Sequence, residues 1–383
     1  MTQPDHVGWI TSEKSRRAKS AVAVALSFAI IFGGMAFVGW QGYGVYMNWK
    51  QKDDYIGDGD EEVEVVIRFG SGWATVADSL MSKDVIKDPS LFEKAALRIA
   101  DGPEPGTWKL KTHLPAQTAA EWLTDPTNQV VWKVTFPEGY WVSDILDVLV
   151  KKLELTPEEL AEAVEAILAD PKLADINPAA KTALPVCAEI RTRCLEGFLF
   201  PATYNYYPPL DTDPISAIGR LAWQFTDVLD DLDFVEKAKA LGLSTFDAVI
   251  IASLIESEVS RDEDRPKVAR AIMNRLAQDM PLQIDSVIDY GLNDQGASWR
   301  DAGALQIDTP YNVYLHKGLP PTPTSNPGKA SLEAAVNPVA GQWLYWVTVN
   351  LETGETRFAV TLDEHQANVA LLDQWCSQNP GYC

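Results

Sequence analysis

Histidine is scarce in this chain: His6, His113, His316 and His365 are all there are in 383 residues. None stands near another, so neither a metal cluster nor a Ser-His-Asp triad has support. No glycine-rich phosphate loop is present. Clustered basic residues are missing beyond residue 19 too. The formal charge is −22, and residues 1–19 hold four basic and two acidic side chains, which leaves −24 on the remainder. Nucleic-acid binding depends on counterion release by grouped Lys and Arg, so that partner is disfavoured. Pro and Gly, 24 each, are too few for general disorder.

Charge is also absent between Lys19 and Lys50, and this gap decides the expected topology. The run "AVAVALSFAIIFGGMAFVGW" (21–40) is long enough to cross the roughly 30 Å of a bilayer's hydrocarbon. Trp40, Tyr43, Tyr46 and Trp49 follow it as an interfacial belt would. "KSRRAK" precedes it, which keeps the N-terminus in the cytoplasm. A cleaved signal peptide is the rival reading, but "GWQGYGVYMNWK" offers no small-residue cleavage site. The expected organisation is a cytoplasmic segment 1–19, a transmembrane helix 20–49, a charged linker 50–62, an α+β module 63–152 and a larger mixed helical/β domain 153–383.

All four cysteines then lie outside the cytoplasm, where disulfides persist. Proximity favours Cys187 with Cys194 and Cys376 with Cys383, although four cysteines allow other connectivities. Zinc is a weaker use, because the CxxC spacing is missing.

A strand, turn and helix follow one another in "VEVVIRF"–"GSG"–"WATVADSLM", again in "VVWKVTF"–"PEG"–"YWVSDILDVLV", and less clearly in "GTWKLKTHL"–"PAQTAAEWL". This is either an internal repeat or the ordinary alternation of an α+β domain. Residues 60–150 loosely resemble the small β-α-α-β modules of the LysM kind, which bind N-acetylated glycans. Beyond them, "LTPEELAEAVEAILAD" opens a helix with Thr156, Pro157 and Glu159 in capping positions. "LEGFLFPATYNYYPP" (195–209) reads as a structured aromatic loop, and "LETGET" as the turn of a hairpin. The fold class expected is α+β.

What chemistry remains must come from carboxylates among apolar residues. "VIIASLIESEV" (249–259) is apolar nearly all round a helix, yet carries Glu256 and Glu258. A buried carboxylate is costly unless paired or protonated. Glu256 aligns with Val249, Ala252, Ser253 and Ser260, a face of small side chains that leaves room for a ligand. Glu258 points elsewhere, because i and i+2 do not share a face, and could pair with Arg261 or Arg265. The bland reading is a Glu256 salt-bridged to Arg270 or Arg275.

Four motifs occur in order: "LEGFLFPATY" (195–204), "ASLIESE" (252–258), "LQIDSVIDYG" (282–291) and "DTPYNVYLHKGLPPTPTSNPG" (308–328). Together they resemble the MltG (YceG-like) family of endolytic murein transglycosylases. The resemblance implies that Glu256 is the catalytic acid and base, and that Glu258, Gln283, Asp285, Tyr290, Tyr311 and Asn312 bind substrate. It implies cleavage between N-acetylmuramic acid and N-acetylglucosamine with a 1,6-anhydro product, one carboxyl serving both steps. It implies membrane-anchored action on nascent peptidoglycan strands, in partnership with the synthases that elongate them, and no metal or cofactor. Ala202 departs from the family, which has Asp after "LFP", and the loop 292–307 matches nothing. A non-catalytic glycan-binding scaffold and a two-carboxylate muramidase, with Asp285 as the partner, are the competing expectations.

Overall fold

The computed structural model describes residues 33–35, 37–40, 54–174, 177–179, 191–297 and 302–381. Most of the expected transmembrane segment, together with Cys187 and Cys383, lies outside the described residues. Gly33–Met35 and Phe37–Trp40 are helical. No single helix among the described residues is long and apolar enough to cross a membrane.

The chain forms two compact units that divide between Gln129 and Val130. In the first, the order is β1 (Glu62–Ile67), α1 (Trp73–Ser82), α2 (Pro89–Ala96), β2 (Gly106–Lys111) and α3 (Ala116–Trp122), and the short β3 (Gln129–Val130) falls at the division. β1 and β2 pair antiparallel, with Val65 opposite Trp108. Alternation along β1 turns Val65 and Ile67 inward. There they meet Trp73, Leu80, Phe92, Trp108 and Leu110 in one buried cluster. α2 begins where Asp88 accepts the Ser90 N–H and Pro89 supplies a preset first turn.

The compact units divide at 129–130, whereas the sequence places the end of its α+β module at 152. Val134 in β4 (Trp132–Thr135) and Ile145 and Leu149 in α4 (Val142–Leu153) belong to the larger core of the second unit. Apolar contact, rather than the recurrence of strand, turn and helix, assigns them there. α5 (Pro157–Ala169) starts on the expected capping box of Thr156 and Glu159. "LEGFLFPATYNYY" is not all loop: β5 (Thr203–Tyr206) pairs antiparallel with β4, and its buried Tyr204 and Tyr206 pack inward. Cys194 is buried nearby, and both Cys194 and Cys376 are disulfide-bonded.

α6 (Pro214–Asp231) and α7 (Phe234–Ala240) lead to α8 (Thr245–Glu258), the helix of Glu256 and Glu258. Ser244 caps α8 by accepting the Asp247 N–H at 3.0 Å. Phe246 and every residue from Ala248 to Ile255 are buried, so α8 is a central core helix and needs no polar face. It packs on α9 (Arg265–Ala277), α10 (Asp285–Leu292) and α11 (Lys329–Val336). The expected hairpin is present as β6 (Tyr345–Asn350) and β7 (Glu355–Ala359), against which α12 (Leu362–Gln378) lies.

Candidate active site

The small-residue face of α8 is filled by the chain itself. Ser253 Oγ accepts the Thr324 N–H at 3.1 Å, and Ser253 O accepts from Ser325 Oγ at 3.1 Å. Small side chains here let the 322–328 loop approach the helix closely; they do not leave space for a ligand, as the sequence reading had it. That face runs out at Glu256. Its side chain is 6% exposed, and Oε1 lies 3.3 Å from the Arg265 guanidinium. Oε2 accepts the Gly328 N–H at 2.9 Å. The pairing partner is therefore Arg265, not Arg270 or Arg275. Arg265 also reaches Asp262 and the Ser331 hydroxyl, so it is fixed from three sides.

Asn326 anchors the loop that delivers Gly328. Its Oδ1 accepts from the Gly197 and Leu199 N–H groups at 3.0 and 3.1 Å. Its Nδ2 donates to Tyr140 O at 3.0 Å and to Glu196 Oε1 at 2.7 Å. Glu196 is fully buried and also accepts from the Val142 N–H and the Tyr290 hydroxyl. Burial outweighs these donors and pushes its carboxyl up to about 8.

Glu258 does turn away from Glu256, but it is not a surface residue paired with Arg261 or Arg265. It accepts from Ser286 Oγ at 3.1 Å and Trp346 Nε1 at 2.9 Å. Burial pushes its carboxyl above the ordinary range; the Trp346 and Ser286 hydrogen bonds and the Arg275 charge oppose this, and Asp285 adds to it. A hollow of about 530 Å³ adjoins it, lined among others by Gln283, Asp285, Tyr314, Trp346 and His365. A second, of about 430 Å³, is lined by Glu256, Arg265 and Gly354. The two share Ser257, Glu258, Thr348 and Leu351, so they form one trough past the end of α8.

Of the predicted substrate residues, Glu258, Gln283 and Asp285 line that trough, with Asp285 accepting from the Tyr314 hydroxyl at 2.6 Å. Tyr290, Tyr311 and Asn312 are buried and line neither hollow. The Tyr311 hydroxyl pairs with Thr322 at 2.9 Å, and Asn312 Nδ2 donates to Leu305 O and Ile307 O. They hold the loops that make the wall.

Sequence reasoning missed Glu138. It lies in the "PEG" turn after β4, and its carboxyl stands close to that of Glu256 across Gly328. A glutamate beside glycine at the end of a strand was the available signal. Among the described residues, no group of three or more His, Cys, Asp or Glu could hold a metal ion.

A near-buried carboxyl beside an arginine at the edge of an open trough can exchange a proton with a ligand held there. The chain belongs to the YceG-like family, whose profile matches residues 65–371. It is 29% identical over 311 residues to the endolytic murein transglycosylase of Bacillus subtilis (strain 168), covering 80% of this chain and 84% of that one. It is 26% identical over 363 residues to the endolytic murein transglycosylase of Streptococcus pneumoniae serotype 2 (strain D39 / NCTC 7466). That match covers 91% of this chain and 65% of the pneumococcal one. Among solved structures, a YceG-like protein of Listeria monocytogenes superposes with a TM-score of 0.51 at 26% identity, over 81% of this chain and 99% of that one.

Proposed function

We propose that this chain is a membrane-anchored endolytic lytic transglycosylase of peptidoglycan. It cuts the MurNAc–GlcNAc bond within nascent glycan strands, leaves 1,6-anhydroMurNAc ends and so terminates elongation. The observation that carries the reading is Glu256, 6% exposed beside an open trough and fixed by Arg265. Family membership and the names of the relatives supply the substrate class.

In this reading Glu256 is the essential acid–base group. Glu258, Gln283 and Asp285, with Trp346, contact the saccharide, while Tyr290, Tyr311 and Asn312 shape the wall. The first unit, with its β-α-α-β order, serves as a LysM-like glycan-binding module. The segment 20–49 anchors the protein in the cell membrane, with the catalytic domain outside and the strand-elongating synthases as partners. Cys187–Cys194 and Cys376–Cys383 stabilise the exported domain.

The test is digestion of uncrosslinked glycan by the full-length chain and by Glu256→Gln. Losing a general acid or base costs about 10²–10⁴-fold, so the variant is expected to retain about a hundredth of the rate or less. A Glu256→Gln protein that cuts as fast as the parent overturns the assignment. A parent that binds glycan and cuts nothing establishes the scaffold reading instead.

A further inference from the structure

We infer that Glu138 is a second acid–base carboxyl of this site, placed to protonate the leaving oxygen while Glu256 acts as the base. The inference rests on the reading of the site as a glycosidic-bond cleaver.

The geometry starts from the backbone. The Gly139 N–H donates to Asn326 O and the Asn326 N–H donates to Tyr140 O, both at 3.0 Å. This reciprocal pair fastens the "PEG" turn to the 322–328 loop. The same loop turns its Gly328 N–H onto Glu256 Oε2 at 2.9 Å. A Cβ added to Gly328 would lie 1.9 Å from Glu138 Oε1, so that carboxyl rests over the glycine where no side chain intervenes. A Cβ on Gly139 would come within 3.7 Å of Glu256 Cγ. Two carboxyls from distant parts of the sequence thus meet across one glycine. Glu138 is the exposed member and Glu256 the enclosed one.

Their surroundings separate the roles. Both Glu256 oxygens face donors, Arg265 and the Gly328 N–H, which is the arrangement of an accepting carboxylate. The groups facing Glu138 are Glu256, Arg265 and Asp262. Partial burial, and next the Glu256 charge, push its carboxyl above the ordinary range; Arg265 opposes them and Asp262 adds a little. Neighbouring carboxyls disfavour each other's charge, and the arginine stands on Glu256, so the donor role falls to Glu138.

In the step this allows, the Glu138 proton goes to the glycosidic oxygen of the departing N-acetylglucosamine as its bond to muramoyl C1 breaks, that oxygen keeping the electron pair. The muramoyl 6-oxygen bonds to C1 and its proton passes to Glu256. A proton returned from Glu256 to Glu138 resets the pair, and nothing is consumed.

The experiment compares the full-length parent, Glu138→Gln and Glu256→Gln on two substrates. One is an uncrosslinked murein oligosaccharide; the other carries 4-nitrophenoxide on muramic C1, a leaving group that departs without protonation. Glu138→Gln is expected to lose about 10²–10⁴-fold on the oligosaccharide and to recover most of that loss on the nitrophenyl substrate, whereas Glu256→Gln recovers little on either. Glu138→Asp should restore part of the rate on the oligosaccharide. Equal losses for Glu138→Gln on both substrates, or no loss at all, overturn the proton-donor role and leave the Glu256 reading standing. A parent that cuts neither substrate overturns that reading as well. Thermal unfolding of each variant separates a chemical loss from a folding one, and a Glu138→Gln protein that is unfolded passes the decision to Glu138→Asp: it supports the role if its loss too shrinks on the nitrophenyl substrate and overturns it otherwise.

Discussion

Glu196 joins three parts of the second unit through one carboxyl: the start of α4 by the Val142 N–H, α10 by the Tyr290 hydroxyl, and the site loop by Asn326. Its carboxyl, pushed up to about 8 from an ordinary 4.5, holds in the folded chain a proton that the unfolded chain releases. Its contribution to stability is therefore complete below about pH 4.5 and is lost as the pH rises through about 8. The slope is at most about 1.4 kcal/mol per pH unit. Glu196→Gln keeps an acceptor for Asn326 and offers a neutral NH₂ to the Tyr290 oxygen. Urea unfolding should show the variant more stable than the parent at pH 8.5, with that advantage gone or reversed at pH 5. A constant difference between the two pH values would mean that Glu196 does not titrate on unfolding.

The glycine of the same "LEGF" run matters for the elements around it. Gly197 has φ +84, and a Cβ there would lie 2.6 Å from Pro323 Cβ and 3.0 Å from Val249 Cγ1. Gly197→Ala therefore combines backbone strain with a clash between the site loop and α8. We expect a destabilisation of about 1–3 kcal/mol, measured by urea unfolding, and a larger loss of glycan cleavage than at a position of equal cost away from the loop. Ser244→Ala, which removes the α8 cap, is that control, at about 1 kcal/mol. Equal activity for the two variants would show that loop placement does not matter.

Much of the element plan could be read beforehand because local rules govern it. The α5 capping box, the β6–β7 hairpin and the apolar run of α8 all depend on residues close in sequence. α10 escaped notice because it is short and follows Gln283, whose φ of 50 breaks the chain before it. β5 escaped because its partner β4 lies far back in the chain. The site divides the same way. Glu256 was legible from a carboxylate inside an apolar helix, yet its arginine and the opposing Glu138 depend on tertiary contacts that no spacing encodes. Tyr290 belongs to the same motif as Gln283 and Asp285, and Tyr311 and Asn312 to the motif that follows it, so only burial tells wall from lining.

At the scale of the whole molecule, the product separates two kinds of glycosidic cleavage. Pairs of carboxyls are found in muramidases that add water to C1, so the presence of Glu138 beside Glu256 means that counting carboxyls no longer predicts the outcome. Asp285, the partner considered from sequence, lines the hollow beside Glu258 and accepts from Tyr314, away from Glu256. What decides is the nucleophile that reaches C1 first. The muramoyl 6-hydroxyl is tethered to the same sugar and so acts at high effective concentration. Glu256, its oxygens enclosed by Arg265 and Gly328, is better placed to take a proton from a hydroxyl pressed against it than from bulk water. The charge of −22 over the whole chain offers the strand no electrostatic hold, so salt should change the rate little. The expected products are fragments cut from the middle of strands, ending in 1,6-anhydroMurNAc and each lighter by one water than a hydrolytic product. Mass spectrometry of digested uncrosslinked glycan reads this directly: mainly reducing ends would sink the transglycosylase mechanism, even with Glu138 and Glu256 both essential.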